Sequence, residues 1–269
     1  ASLAAVVVNP HTHVVYALDA HARFVPVVLL RLVLYLALLA LLVPSVPLLP
    51  GVPALGSACD ITDADSVESL RALVIGRFRR VDALVNNAAN DPKVGPGAPG
   101  KSRHWSRLEA FPLAQWRADI EVALTGSFLC SRAFGAEMAR RRRGVILNIA
   151  SDLSVIAPDQ RLYRDPNLPA SAQPVKPVTY SVVKTGLIGL TRYLSTYWAQ
   201  EGVRVNALSP GGVYAGQDPD FVTRLSSLVP LGRMARRDEY KGAVVFMLSD
   251  ASSYMTGQNI VMDGGRSAW

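Results

Sequence analysis

Ser151, Tyr180 and Lys184 are residue types that together can move a proton. Tyr180 and Lys184 stand four apart with Ser-Val-Val between them, so on a helix they lie one turn apart on one face and can point into one pocket. The apolar run 144–150 leads straight into Ser151 and, as a strand, would deliver its hydroxyl to the edge of a sheet. A free tyrosine titrates near ~10, and a cation beside it lowers that by roughly one to three units, so Lys184 is expected to bring Tyr180 into acid–base range near neutrality. Such help is worth about a hundred- to ten-thousand-fold in rate. The same spacing also occurs on plain helix surface, so the surrounding elements have to carry the reading.

From residue 58 onward the chain alternates between strand and helix patterns. A short strand end at 58–60 precedes a helix capped by Thr62, with Asp63 and Asp65 in its first turn and an apolar stripe of Val67, Leu70, Val74 and Phe78. A buried strand at 81–86 empties into Asn87-Ala-Ala-Asn90 and a glycine- and proline-rich loop to Gly100. A long helix over 112–142, the strand 144–150 and a polar, proline-containing excursion over 152–177 follow. An excursion of that length is either a functional lid or disordered. Next come the Tyr180 helix to about residue 200, a strand at 203–208 ending in Ser209-Pro-Gly-Gly212, and a mobile-looking segment over 213–233. A helix near 236–248 and a last strand at 259–262 close the pattern before Asp263-Gly-Gly265. This alternation predicts an α/β fold with a doubly wound parallel sheet, in which ligands bind at the strand ends.

With 269 residues the default is a single α/β domain. Cys59 and Cys130 show no metal-like or redox-like spacing, which fits a reducing, cytoplasmic setting. The net charge of +7 and the arginines at 77–80 and 140–143 raise the question of nucleic acid. The second cluster closes a predicted helix, where cations complement the helix dipole and face water, so nucleic-acid binding is not expected.

The order Asn86-Asn-Ala-Ala89, Ser151, Tyr180-Ser-Val-Val-Lys184, Pro210-Gly211 and Asp263-Gly-Gly265 resembles the short-chain dehydrogenase/reductase family over about residues 56–269. The resemblance implies a Rossmann-like sheet holding NAD or NADP and a reaction by hydride transfer. It makes Tyr180 the catalytic acid or base and gives Lys184 two tasks, lowering the tyrosine's pKa and holding the nicotinamide ribose. Ser151 would hold the substrate oxygen. Asp60 and Ile61 would touch the adenine, Asn87 and Ala88 would line the cofactor groove, and Pro210, Gly211 and Val213 would face the nicotinamide. A homo-oligomer, dimer or tetramer, is implied through helices 112–142 and 179–200. The wording of the C-terminal half is also similar to a branch encoded with bacterial surface-sugar and flagellin-modification enzymes, which implies a sugar-like substrate. Gln160, Arg161, Arg164, Asp165 and Lys176 in the excursion suit a polyhydroxylated or anionic ligand, with Arg161 and Arg164 as the substrate candidates.

The chain departs from the family in three places. Its first glycine is Gly51, so residues 1–50 contain no glycine-rich turn to cradle a pyrophosphate, and the residue that selects NAD or NADP is lost with it. Residues 1–55 carry few charges, and 24–44 are almost wholly apolar, approaching the ~20 residues of a membrane span, although Pro26 and Arg31 interrupt them. A frame-shifted start, a membrane segment in place of the first unit, and a degenerate first unit all fit; the abrupt loss of charge favours the first. Ala123 stands where the family usually has an asparagine that holds a water for proton relay. The interval from Ser151 to Tyr180 is longer than usual, which an insertion explains. The expected function is an NAD(P)-dependent oxidoreductase of alcohols or carbonyls, sugar-like ones or small ketoacyl ones. The alternative is a non-catalytic or damaged Rossmann-like protein.

Overall fold

The computed structural model describes residues 3–8, 14–20, 54–91, 94 and 105–269. Its strands are β1 (Leu3–Val8), β2 (Val14–Ala20), β3 (Ala54–Ala58), β4 (Ala83–Asn86), β5 (Gly144–Ile149), β6 (Val203–Pro210) and β7 (Asn259–Met262). They form one sheet in the order β3-β2-β1-β4-β5-β6-β7. From β1 through β4, β5 and β6 to β7 every neighbour is parallel, as the alternating sequence demands. The order reverses between β1 and β4, which is where open sheets of this kind leave a crevice.

The first unit is atypical, as its missing glycine-rich turn led us to expect: β2 runs antiparallel to both β1 and β3. The reason is the length of the connection. Only positions 9–13 join β1 to β2, whereas a parallel return needs a crossover of a dozen or more residues. A strand hairpin therefore stands where a first strand–helix–strand unit was in question. The apolar stretch 24–44, Gly51 and the connection itself lie outside the described residues. Among those described, no helix is long and apolar enough to cross a membrane.

Helices cover both faces. α1 (Ala64–Phe78) buries Val67, Leu70, Val74 and Phe78, the stripe read from sequence. Its cap is Asp63, whose carboxylate accepts from the Asp65 and Ser66 amides, while Thr62 is occupied with Asp60 instead. The run over 112–142 is one rod in three parts, α2 (Leu113–Ile120), a π-turn (Glu121–Thr125) and α3 (Gly126–Arg140). The Tyr180 helix is α4 (Val178–Tyr197), followed by α5 (Pro219–Ser227) inside the segment that looked mobile, and α6 (Lys241–Leu248). Leu84, Ile146 and Val205 pack towards α1, α3 and α4, with Phe134, Met138 and Trp198 among their partners. Ala83, Val85, Leu147 and Leu208 face the other way, onto Val244, Met247 and Leu248 of α6. Period-two alternation thus fills both layers.

The arginine cluster is tied into the chain itself. Arg141 donates to the Val81 carbonyl at 3.1 Å and Arg142 to that of Gln200 at 2.6 Å, while Arg140 pairs with Glu137. At Gly202, where φ is +70°, a Cβ would fall on the Arg142 carbonyl oxygen, so the turn into β6 requires glycine.

Candidate active site

β4, β5 and β6 end side by side, and a buried polar ladder fixes them there. Asn86 donates to Asn148 at 2.8 Å and to Ser131 at 3.1 Å, and Asn148 donates to Thr191 of α4 at 2.8 Å. Just beyond β5 the chain tightens into a 3-10 turn over Asp152–Ser154. The Ser151 hydroxyl accepts from the Leu153 amide and donates to Asp152 Oδ1 at 2.8 Å. The other oxygen of Asp152 takes a hydrogen bond from Arg266 at 2.8 Å, a pair with side chains 9% and 6% exposed.

α4 brings Tyr180 and Lys184 to the same place, with Ser151 in hydrogen-bonding reach of the phenol. Lys184 is buried and donates to the Ile149 carbonyl at 2.8 Å, and its ammonium is 5.8 Å from the centre of the Tyr180 ring. Burial pushes its pKa down to about 8, against the pull of Asp91 and with the push of Lys176. The expectation that Tyr180 would be made more acidic is not met in the free chain. Burial raises it, Asp91 adds to the rise, and the Ser151 hydrogen bond only partly offsets them. Tyr180 as a whole keeps some exposure, so it is the crowding around its hydroxyl that holds the proton on.

The other predicted residues fall at the same edge in part. Asn87 and Ala88 follow β4 directly, Pro210 ends β6 and Gly211 follows it. A Cβ on Gly211 would press on the Asp263 backbone at 2.8 Å, and Tyr240 donates to the Gly211 carbonyl at 3.0 Å. Val213 forms an isolated bridge with Ala235. Asp60 and Ile61 leave the end of β3, where Asp60 accepts from Thr62 and Ile61 fills the space that the absent Cβ of Gly126 leaves. Arg161 and Arg164 are exposed, and Arg161 is paired with Asp159 at 2.7 Å.

Four residues were missed. Asp119, 2% exposed in α2, accepts from Gln115 at 2.7 Å, from Asn90 at 3.1 Å and from Thr179, the neighbour of Tyr180. A carboxylate among apolar helix positions was its signal. Tyr163, from the excursion, feels Asp91, Arg266 and Asp152, and its ring lies 5.8 Å from that of Phe221. Tyr240 and Arg266 gave no sequence signal of their own. Ala123 is wholly buried in the π-turn, so no side-chain amide projects from that position.

NAD or NADP is the group that this arrangement has to accommodate. At the nicotinamide end the donor set fits: Lys184 has three N–H groups and spends one on Ile149, leaving two for ribose hydroxyls. The residues that would meet the pyrophosphate from β1 lie outside those described.

Family models match in two blocks, "short chain dehydrogenase" over residues 42–163 and "Enoyl-(Acyl carrier protein) reductase" over residues 170–267. D-threitol dehydrogenase of Mycolicibacterium smegmatis is 34% identical over 215 residues, 78% of this chain and 72% of that protein. NADP-dependent mannitol dehydrogenase of Alternaria alternata is 33% identical, covering 77% and 69%. Among solved structures, a short chain dehydrogenase from Leptospira borgpetersenii with bound NAD+ superposes with a TM-score of 0.67 at 30% identity, covering 78% of this chain and 74% of that one. Sequence, sheet order and strand-end motifs agree: the chain belongs to the short-chain dehydrogenase/reductase family, oxidoreductases of alcohols and carbonyls that work with NAD or NADP.

Proposed function

We propose that this chain interconverts a secondary alcohol and a carbonyl on a polyol or sugar-like substrate, with residues 56–269 as the catalytic domain. The observation that carries the reading is the convergence of Ser151, Tyr180 and a buried Lys184 on one strand edge, in a chain with polyol dehydrogenases among its relatives. When bound, the dinucleotide supplies or accepts the hydride. Tyr180 gives its proton to the carbonyl oxygen on reduction and takes it back on oxidation. Burial favours the neutral phenol, the form that donates to a carbonyl oxygen. Lys184 grips the ribose with the N–H groups that Ile149 leaves unused. Ser151, which already donates to Asp152 and accepts from the Leu153 amide, keeps one lone pair to accept from the substrate hydroxyl. Asp60 and Ile61 serve the adenine end, Asn87 and Ala88 the groove, and Pro210, Gly211 and Val213 the nicotinamide face.

The test is a panel of D-threitol, mannitol, glycerol and gluconate with NAD+ and NADP+, read as reduced nicotinamide absorbance. Turnover of a polyol that Tyr180→Phe abolishes supports the reading. Dinucleotide binding with no turnover of any member would remove the substrate class.

A further inference from the structure

We propose that Lys176 is a second lysine acting on Tyr180: its ammonium lies against the face of the ring, and with Asp91 behind it sets how readily the phenol releases its proton. The ammonium is 3.7 Å from the ring centre, closer than that of Lys184 at 5.8 Å. The two lysines flank Tyr180 at four residues before and four after. Lys176 precedes α4, so its position is set otherwise: its amide donates to Gln160 Oε1 at 2.8 Å, and its ammonium holds Asp91 at 2.7 Å.

A phenolate spreads negative charge from its oxygen into the ring, so a cation on the ring face stabilises the ionised form more than the neutral one. The Lys176 side chain is only 12% exposed, which limits screening by water. Asp91 acts with the opposite sign, as an anion that favours the protonated phenol. Around Tyr180 stand Lys184 on its own helix, Ser151 and Asp152 in the turn after β5, Tyr163 from the excursion and Asp91 after β4, with Arg266 neutralising Asp152. Lys176 is thus a positioning residue that works through Tyr180. Its catalytic consequence rests on the function proposed above; its effect on the phenol does not.

That separation fixes the experiment. Tetranitromethane attacks the phenolate, so the nitration rate of the Tyr180 peptide in the full chain at pH 8 reports its ionised fraction, with the exposed Tyr214 and Tyr254 as internal controls. Lys176→Met, which keeps the ring face covered, is expected to slow Tyr180 about tenfold, and Lys176→Arg to restore it. Asp91→Asn is expected to speed it about threefold, although it breaks the same ion pair. Shifts in one direction for Lys176→Met and Asp91→Asn, or no shift in either, would mean that the pair only ties the loop down, and the proposal fails. If Lys176→Met does not fold, Asp91→Asn decides: acceleration supports the proposal, and no change or slowing overturns it. Where a polyol is turned over, the pH profile of kcat/KM moves in the same opposite senses. Absence of turnover counts against the proposed function and leaves the nitration result standing.

Discussion

Arg266 and Asp152 meet at 2.8 Å almost wholly out of water, and through them the last residues of the chain are fastened to the turn that carries Ser151. Removing one partner of such a pair leaves the other charge buried alone, at a cost of about 3–5 kcal/mol. Arg266→Met is expected to lower the urea midpoint accordingly, and Arg266→Met with Asp152→Asn to recover most of the loss. A double variant as weak as the single one would show that the pair is not the cause.

Lys184 makes stability depend on pH with a definite sign. Its folded pKa of about 8 lies below the unfolded value of 10.5, so between the two the unfolded chain holds the extra proton and stability rises with pH. Below about 8 the buried charge is a net burden of roughly 3 kcal/mol. Lys184→Met should therefore be the more stable protein at pH 6.5, less by about 1 kcal/mol for the unpaired Ile149 carbonyl, and its advantage should shrink towards pH 10. Melting curves at three pH values would show it, and a constant difference would contradict it.

Tyr180→Phe removes only the phenol oxygen. Turnover is expected to fall by about a hundred- to ten-thousand-fold while dinucleotide affinity stays within a few-fold, measured by titration and steady-state rates side by side. Retained turnover would point to another acid.

Gly202→Ala is expected to be destabilising by about 1–3 kcal/mol, because the new methyl meets backbone that cannot swing aside and the left-handed φ adds strain. Chemical denaturation checks it, with Gly189→Ala, mid-helix in α4 and with room for a Cβ, expected to move the other way by about 0.5–1 kcal/mol.

Phe128 on α3 and Val182, Tyr193 and Tyr197 on α4 leave large apolar groups in water. We expect a homo-oligomer through these two helices, so light scattering at micromolar concentration should give a dimer or tetramer. A monomer would refute the assignment of that face.

The strands and helices after residue 56 were legible because each is long enough to show its period, as the α1 stripe and the alternating β4, β5 and β6 do. The Ser151, Tyr180 and Lys184 cluster was legible because one helix turn and one strand end place it. What sequence missed is tertiary in origin. Arg266 reaches Asp152 across 114 positions and Asp119 reaches Thr179 across 60, distances over which no local pattern extends. Charge composition also does not reveal that Arg161 pairs with Asp159 two residues away. The rise in the Tyr180 pKa was equally hidden, because spacing shows the lysine but not the burial and the carboxylates that outweigh it.

The reversed β2 has an effect at the far side of the cofactor groove. Its first residue, Val14, pairs with Ala58, so β2 begins at the ligand edge and carries Asp19, next to its last residue, to the opposite one. In a parallel second strand an acid near the exit would face the adenosine ribose and repel a 2′-phosphate. Here Asp19 lies near the opposite end of the strand, and the acidic residue that follows the ligand-side exit of β3 is Asp60, whose carboxylate accepts from Thr62. We therefore expect the choice between NAD and NADP to rest on the exit of the third strand rather than on that of the second.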